Sequence, residues 1–173
     1  DFRDLLHENT ISDRMLSSII GSVALYSYAD GDLRLIRGNE AYRRLIASLG
    51  EGVNGAEEGG GLLPFVHDED RDALVAAAEE TVRSCPDDGV EVVVRRMGTN
   101  GCHWHKMRLF HWNTTNGSAT VYGSVTDVTE RMEYMEALRK SEQRFEMTLE
   151  ASGTVVFELD IPTRTARYSE FLQ

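Results

Sequence analysis

Proline, cysteine and long apolar segments are all scarce in this sequence. It contains three prolines and two cysteines, Cys85 and Cys102, and this cysteine content excludes a disulfide framework and a cysteine-rich metal site. No apolar run approaches the roughly 18 residues of a membrane-spanning helix. These absences are typical of a chain in a reducing, cytoplasmic setting that makes no direct contact with a membrane.

Positive charge is also in short supply. Lysine and arginine total 18 against 29 aspartate and glutamate residues, which gives a formal net charge of −11. A balance this acidic repels phosphate backbones and anionic lipid, so nucleic-acid and membrane-surface binding are disfavoured. The 173 residues, 41% of them apolar, suffice for one domain and a remainder. The start at Asp1 has neither an initiator methionine nor a signal sequence, which predicts a piece of a longer protein.

Hydrophobic periodicity predicts a helix, a β-hairpin and a second helix at the start of the chain. Residues 1–20 place apolar side chains near one face of a helix. The period changes to two over 22–38, where Asp30 and Gly31 supply the two-residue loop of a hairpin. Asn39 is placed to cap a short helix that follows it, over Glu40–Ser48.

The middle of the chain predicts a loop, a third helix and three strands. The glycine-rich stretch 50–61 predicts a mobile loop. The acidic cluster after His67 suits a helix N-terminus, and this helix is expected to end near Ser84. The elements expected after it are strands over 90–97, 102–112 and 118–128, turns over 98–101 and 113–117, and a helix over 129–151.

An internal repeat indicates how the chain is organised. Gly21–Tyr26 and Gly153–Glu158 share one pattern, and each follows a predicted helix. A turn at Pro162 and a further strand follow the second occurrence. The sequence therefore predicts one complete module, a connecting helix and the opening of a second copy of the same domain.

Four short segments follow one another in an order typical of a known family. They are a strand-to-helix segment around Asn39, the segment Val66–Arg71, a hairpin with Trp104, and the stretch Gly123–Arg131. Together they resemble a PAS domain, whose motifs include I-H-P-x-D-R, D-G-x-x-x-W and G-x-x-x-D-I-T-E-R. The last segment is the strongest match, whereas Asp68 replaces the usual proline of the second.

The resemblance implies a fold class and a domain organisation. The fold class is α+β, a PAS fold with a five-stranded antiparallel sheet, helices on one face, and flanking N- and C-terminal helices. The expected order is a flanking helix over 1–20, a PAS domain over 21–129, a connecting signalling helix over 130–151, and a truncated second PAS domain over 152–173.

The resemblance also implies two groups of functional residues. The first is the junction that passes signals from sensor to effector in PAS proteins, and it comprises Asp127, Thr129, Glu130 and Arg131. The second is a set of structural motif residues, namely Asn39, His67, Asp70, Trp104 and Gly123. The resemblance assigns no ligand-binding residues.

The junction also has a simpler interpretation from its residue types. Asp127 and Thr129 can accept hydrogen bonds from free N–H groups in the first turn of the following helix. The negative charge of Glu130 suits the positive end of the helix dipole. An ordinary helix cap without a signalling role is therefore the alternative to a relay.

Three histidines share one parity in a predicted strand: His103, His105 and His111. His105 and His111 lie about 20 Å apart at ~3.3 Å per residue, so the three cannot bind one metal ion. His103 and His105 could bind one together, but Cys102 points to the opposite face and no third ligand is evident. We expect hydrogen-bonded or solvated histidines here rather than a metal site.

Other cofactor sites are also disfavoured. Gly50–Gly55 matches G-x-G-x-x-G, but it follows a helix and lies among glutamates that would repel a pyrophosphate. Some PAS domains bind haem through a helix histidine. Flavin-binding PAS relatives form their photochemical adduct with a cysteine that directly follows the asparagine. Here His67 lies at a helix start and Glu40 follows Asn39. We expect neither haem nor flavin. The remaining candidate ligand is an unidentified small molecule.

Three functions remain open at this point. The first is a sensory module that binds a small ligand between its helices and sheet and alters its exit helix. The second is a ligand-free relay module that forms a homodimer through the flanking helices 1–20 and 130–151. The third is a metalloenzyme at His103 and His105. No nucleophile–base pair is apparent by motif, so we expect that this fragment is not an enzyme.

The opening of the second copy, Ser141–Phe145, gives a further resemblance. Tandem PAS arrays with such an opening resemble those ahead of bacterial GGDEF (diguanylate cyclase) domains, with or without EAL phosphodiesterase domains. Arrays ahead of sensor histidine kinases are the alternative. The expected partner is therefore a downstream effector domain on the same chain.

Overall fold

The computed structural model describes Leu16 and residues 18–50, 59–115, 117–152 and 157–168. The chain divides into two compact units, Asp1–Thr129 and Glu130–Gln173. Most of the predicted helix over 1–20 and most of the predicted loop over 50–61 lie outside the described residues.

The described part of the first unit consists of five strands, two α-helices and a short 3₁₀ helix. Their order is β1 (Ser22–Ala29), β2 (Asp32–Gly38), α1 (Glu40–Ala47), the 3₁₀ helix (Leu63–Phe65), α2 (Asp68–Ser84), β3 (Val90–Gly98), β4 (Gly101–Thr115) and β5 (Ser118–Asp127). The third α-helix, α3 (Thr129–Ser152), begins at the last residue of this unit.

Local sequence signals account for the ends of these elements. Asp30 and Gly31 have φ of 51° and 79°, which suits the type I′ turn that matches the twist of two antiparallel strands. The Asn39 side chain accepts from the Tyr42 N–H and caps α1. The helix α2 begins with three acidic residues and ends at Cys85, which is left-handed with φ of 44°. The predicted hairpin over 22–38 is confirmed, and so are the two helices predicted after Asn39 and after His67.

All five strands form one antiparallel sheet in the order β2-β1-β5-β4-β3. The first strand and the last therefore lie side by side in the sheet, and β3 lies at an edge. The segment before α2 covers part of that edge, because Val66 bridges Arg96 and the His67 N–H donates to the Arg95 carbonyl at 2.9 Å. The predicted α+β fold class is confirmed.

The strand β4 is longer than the sequence predicts. The expected turn over 113–117 is wrong in its first half, because Asn113, Thr114 and Thr115 pair with the start of β5. An irregularity between His111 and Asn113 shifts the register. Such a bulge inserts a residue without ending the ladder, so the hairpin extends beyond the point where turn-forming residues first appear.

The core lies between one face of the sheet and the two helices. Tyr42 and Ile46 of α1 and Leu74 of α2 pack with the inward residues of the strands. These inward residues alternate along each strand, as expected for a sheet that is covered on one side. They include Ala24, Tyr26, Leu33, Leu35, Val94, Met107, Leu109, Val121 and Val125.

The second unit consists, in its described part, of most of α3 and a hairpin of β6 (Phe157–Asp160) and β7 (Thr165–Tyr168). The hairpin turn includes Pro162, as the sequence predicts. Large apolar side chains are exposed along α3, among them Met135, Leu138 and Phe145. Across the described residues, no helix combines the length and apolarity that a membrane crossing requires.

Candidate functional site

Asn39 connects three parts of the first unit. Its Oδ1 accepts from the Val23 N–H at 3.1 Å and from the Tyr42 N–H at 2.9 Å. Its Nδ2 donates to the carbonyls of Gly21 at 2.8 Å and Leu16 at 3.3 Å. One buried amide thus joins the start of the sheet, the start of α1 and the segment before β1.

The junction at the end of β5 has a compact set of hydrogen bonds. The Thr129 N–H donates to Asp127 Oδ1 at 2.8 Å, and Thr129 Oγ1 accepts from the Trp104 N–H at 2.9 Å. The Val128 N–H donates to the Trp104 carbonyl at 2.8 Å. Thr129, the first residue of α3, is therefore joined to β4, the strand that lies between β5 and the edge strand β3.

The members of the predicted junction differ in their surroundings. Burial tends to raise the pKa of Asp127, but the hydrogen bonds from Thr129 and the charge of His105 lower the pKa overall. Glu130 and Arg131 are exposed residues of the first helical turn and take no part in this set of hydrogen bonds. The structure thus brings Asp127 and Thr129 together with Trp104.

Arg95 connects the start of α2 with the sheet. Its N–H and Nε both donate to Asp70 Oδ2, at 2.7 and 2.9 Å, and its terminal nitrogen donates to Asp70 Oδ1 at 2.8 Å. These hydrogen bonds lower the pKa of the Asp70 carboxyl. The Arg95 guanidinium also lies over the Trp104 ring, 5.3 Å from its centroid, which is a cation–π geometry.

His67 and Gly123 are placed for packing and capping. His67 Nδ1 accepts from the Glu69 N–H at 3.4 Å, which is a local hydrogen bond at the start of α2. A Cβ at Gly123 would lie 3.1 Å from Tyr26 Cε2 and 3.2 Å from Leu109 Cδ2. Because Gly123 has no side chain, the Tyr26 ring can pack directly against the sheet at this position.

Two tyrosines form a polar contact inside the core. The Tyr26 hydroxyl donates to the Tyr42 hydroxyl at 3.2 Å, and the rings meet edge to face with centroids 6.4 Å apart. Burial raises the pKa of Tyr26, Tyr42 raises it further, and the positive charge of Arg96 opposes this. Arg96 therefore lies close enough to act electrostatically on Tyr26.

Arg96 and His105 are the buried polar groups that stand out. Both side chains have no exposed surface. Within the described part of the chain, none of the three Arg96 guanidinium nitrogens and neither His105 ring nitrogen has a hydrogen-bond partner. Burial, and then the charge of Arg96, lower the pKa of His105 to about 4, so its imidazole is neutral near pH 7.

The expectation for the strand histidines is wrong for His105. His103 contacts Asn100 Oδ1 at 3.0 Å and His111 contacts Thr114 Oγ1 at 2.9 Å, so both are hydrogen-bonded. Among the described residues His105 has no hydrogen-bond partner, and its side chain is fully buried because its position in β4 points into the core. The described residues contain no group of three or more metal-ligating side chains.

Sequence reasoning did not identify Arg95 or Arg96. A signal was present, because Val92, Val94 and Arg96 alternate in β3 and the valines mark the inward face. An arginine at the third such position indicates a charge directed into the core. The role of Arg95 carries no such signal, since it depends on Asp70, which lies in a helix far away in sequence.

The sequence and the structure were each compared with those of known proteins. The sequence matches no family model and no curated protein. The structure is similar to an RNA-binding light-oxygen-voltage receptor, with a TM-score of 0.56 and 19% identity over 78% of this chain and 37% of that one. It also matches the PAS domain of Bordetella pertussis BvgS, with a TM-score of 0.41 and 13% identity over 80% and 98% of the two chains.

The first of these similarities shows the fold. This chain spans little more than a third of the length of that light-oxygen-voltage receptor. The five-stranded antiparallel sheet and its helices therefore form a domain with the PAS/LOV fold.

Proposed function

We propose that this chain is a sensory and regulatory module that relays a change in its sheet to the helix α3. In this account the module is not itself an enzyme. It acts in the cytoplasm, within a longer signalling protein, on an effector domain of the same chain. The similarity in fold supports a sensory role, and the hydrogen bonds at the junction support a relay.

One observation carries the proposal, namely the unbroken set of contacts from Asp70 to Thr129. Asp70 accepts from Arg95, Arg95 lies over Trp104, and the Trp104 N–H donates to Thr129. Each contact joins groups in partly buried positions, where hydrogen bonds and charge pairs are less screened by water. A shift of α2 or of the edge strand β3 therefore alters the anchoring of the first residue of α3.

The exposed face of α3 favours a homodimer. Met135 falls at one core position of a heptad pattern and Leu138 and Phe145 fall at the other, and the three are 56%, 61% and 59% exposed. Apolar side chains at this spacing are stabilised when two helices pair. Self-association through α3 is thus part of the proposal, and the segment 1–20, for which the sequence predicts a helix, is a second candidate surface for it.

The proposed type of effector domain rests on the resemblance of the sequence to tandem PAS arrays. A diguanylate cyclase of the GGDEF type is the first candidate, because of the PAS-like opening at Ser141–Phe145. The alternative is a ligand-free relay module of a sensor histidine kinase. The coding sequence beyond residue 173 distinguishes them, since a GGDEF segment or a phosphoacceptor-histidine segment would follow.

The relay is tested in the longer protein by replacing Thr129. Thr129→Val keeps the shape of the side chain and removes the acceptor for the Trp104 N–H. We expect it to change the activity of the effector severalfold. Thr126→Val is the matched control, because Thr126 is an exposed residue of the same strand end. Equal activity for wild type and Thr129→Val would contradict the relay.

A further inference from the structure

Arg96 carries a charge into the core of the domain. Its side chain has no exposed surface, and its three guanidinium nitrogens have no hydrogen-bond partner among the described residues. An arginine keeps its charge in proteins, and an unpaired buried charge is strongly unfavourable. The arrangement becomes favourable when an anion contacts the guanidinium.

Two more unpartnered polar groups lie on the same face of the sheet. Arg96 pairs with His103 in the β3–β4 ladder, so it is a diagonal neighbour of His105, at a typical distance of about 7–8 Å. The Ser22 hydroxyl, on β1, is also buried without a partner among the described residues. Three separate strands thus direct unsatisfied polar atoms toward the interior.

The acidic side chain on the neighbouring strand β5 is engaged elsewhere. Asp127 lies opposite His105 in the β4–β5 ladder, and its Oδ1 accepts from the Thr129 N–H at 2.8 Å. It is also an exposed residue, whereas Arg96 has no exposed surface. Asp127 is therefore occupied by the helix cap rather than by the buried charge.

We propose that Arg96 and His105 bind the carboxylate of a small monoanionic organic acid, and that this acid is the ligand of the module. The inference rests on the proposed sensory function and names the ligand class for it. A guanidinium offers two parallel N–H donors that match the two oxygens of a carboxylate. A neutral His105 adds one further N–H donor and no second charge.

Charge balance selects a monoanion. Arg96 supplies a single positive charge, so one carboxylate neutralises it and a dianion would leave a buried negative charge without a partner. Val94 lies opposite His105 in the β3–β4 ladder, and Met107 lies two residues from His105 along β4. Both are apolar and fully buried, so they suit an organic remainder. Inorganic phosphate and dicarboxylates are therefore expected to bind much more weakly.

Binding at this place would move the residues that reach the junction. The guanidinium has no exposed surface, so an acid has to displace neighbouring side chains to contact it. His105 is opposite Asp127, and Asp127 caps Thr129. A ligand shifts such an equilibrium when it binds one arrangement better than the other.

Thermal unfolding and calorimetry of the full chain test the inference. The probes are sodium acetate, butyrate, benzoate and phenylacetate, with succinate, inorganic phosphate and sodium chloride at matched ionic strength for comparison. We expect at least one monocarboxylate to raise the melting temperature of the wild type. We expect Arg96→Met to abolish that shift, and Arg96→Lys to weaken binding by on the order of tenfold or more.

Arg108→Met is the matched control, because Arg108 is exposed on β4 and pairs with Glu91. This variant should bind the acid like the wild type. Without ligand, Arg96→Met should melt at the same temperature as the wild type or higher, because an unpaired charge has been removed. A lower melting temperature or a failure to fold would show that Arg96 is paired within the chain, and would overturn the inference.

Two further outcomes separate this inference from the proposed function. If none of the four monocarboxylates binds, or if succinate or phosphate binds better in an Arg96-dependent way, the ligand class is wrong. The relay would still stand if Thr129→Val changed effector activity. If an acid binds at Arg96 while Thr129→Val leaves effector activity unchanged, the ligand class stands and the relay fails.

Discussion

His105 and Asp127 lie directly opposite each other in the β4–β5 ladder. His105 is fully buried, whereas Asp127 is exposed and caps the first residue of α3. One cross-strand pair thus joins the buried polar groups Arg96 and His105 to the junction. The negative charge of Asp127 acts to raise the pKa of His105, but burial and then the charge of Arg96 lower it more strongly.

The stability of the domain should depend on the protonation of His105. The folded state holds its pKa at about 4, against 6.5 for an unperturbed histidine. The unfolded chain therefore binds more protons between these values, and stability falls as the pH drops from 6.5 to 4. The loss should be on the order of 3 kcal/mol.

Urea unfolding between pH 4.5 and 7.5 measures this dependence. In the described part of the chain, the charged groups that act on His105 are Arg96, Asp127 and His103. We expect His105→Leu to remove most of the dependence above pH 4.5. His111→Gln is the control, because His111 is a hydrogen-bonded residue of the same strand outside the buried cluster. An unchanged pH profile in His105→Leu would refute the assignment.

Asp70 should contribute far more to stability than its neighbour Asp68. Asp70→Ala leaves the Arg95 N–H and guanidinium without their partner in a site where the Asp70 side chain is 16% exposed. We expect a loss of about 2–3 kcal/mol in the free energy of unfolding. Asp68→Ala should cost less than about 1 kcal/mol, because the Asp68–Arg71 pair is exposed. Similar losses for the two variants would count against the Asp70–Arg95 contact.

Gly38 should tolerate no side chain. A Cβ at this position would collide with the ring of Tyr42. We expect Gly38→Ala to destabilise the domain by about 1–3 kcal/mol, since Tyr42 is fully buried and cannot move freely. Gly61→Ala is the control, because its Cβ would meet only atoms at 3.7 Å. Denaturant unfolding measures the stabilities of the two variants. Equal stabilities would show that the Tyr42 ring can move to accommodate the added Cβ.

The apolar face of α3 should control self-association. Leu138→Glu combined with Phe145→Glu places charges at two heptad core positions, and we expect the protein to become monomeric. Met147→Glu changes a residue that is 67% exposed but lies off this face, so it should associate like the wild type. Sedimentation velocity over a wide concentration range measures the oligomeric state of the wild type and of both variants. A wild-type protein that stays monomeric throughout would disprove a dimer through this helix.

Local patterns in the sequence predicted most elements of the fold. Asp30 and Gly31, Asn39, and the acidic start of α2 are short-range signals, and each marks the element boundary that the structure has. The end of β4 was placed too early, because a bulge near Trp112 lets the ladder continue through residues that usually form turns. Such irregularities depend on the partner strand and not on local composition.

The interior site was less predictable than the junction. Asp127 and Thr129 act on residues close in sequence, so a cap could be expected from their types alone. The burial of Arg96 and His105 depends on which face the helices cover, and this follows from tertiary packing. The contact of Arg95 with Asp70 joins residues 25 apart in the chain, which no local pattern encodes.

The central claim is that the start of α3 is energetically coupled to the edge of the sheet, and a double-mutant cycle of Arg95→Met and Thr129→Val tests it most directly. The two residues are connected through Trp104. Urea unfolding of the wild type, both single variants and the double variant gives the coupling free energy, and Arg108→Met with Thr129→Val is the control cycle. The account predicts a coupling of about 0.5 kcal/mol or more for Arg95 and none for Arg108. Additivity within about 0.3 kcal/mol for Arg95 and Thr129 would contradict the claim.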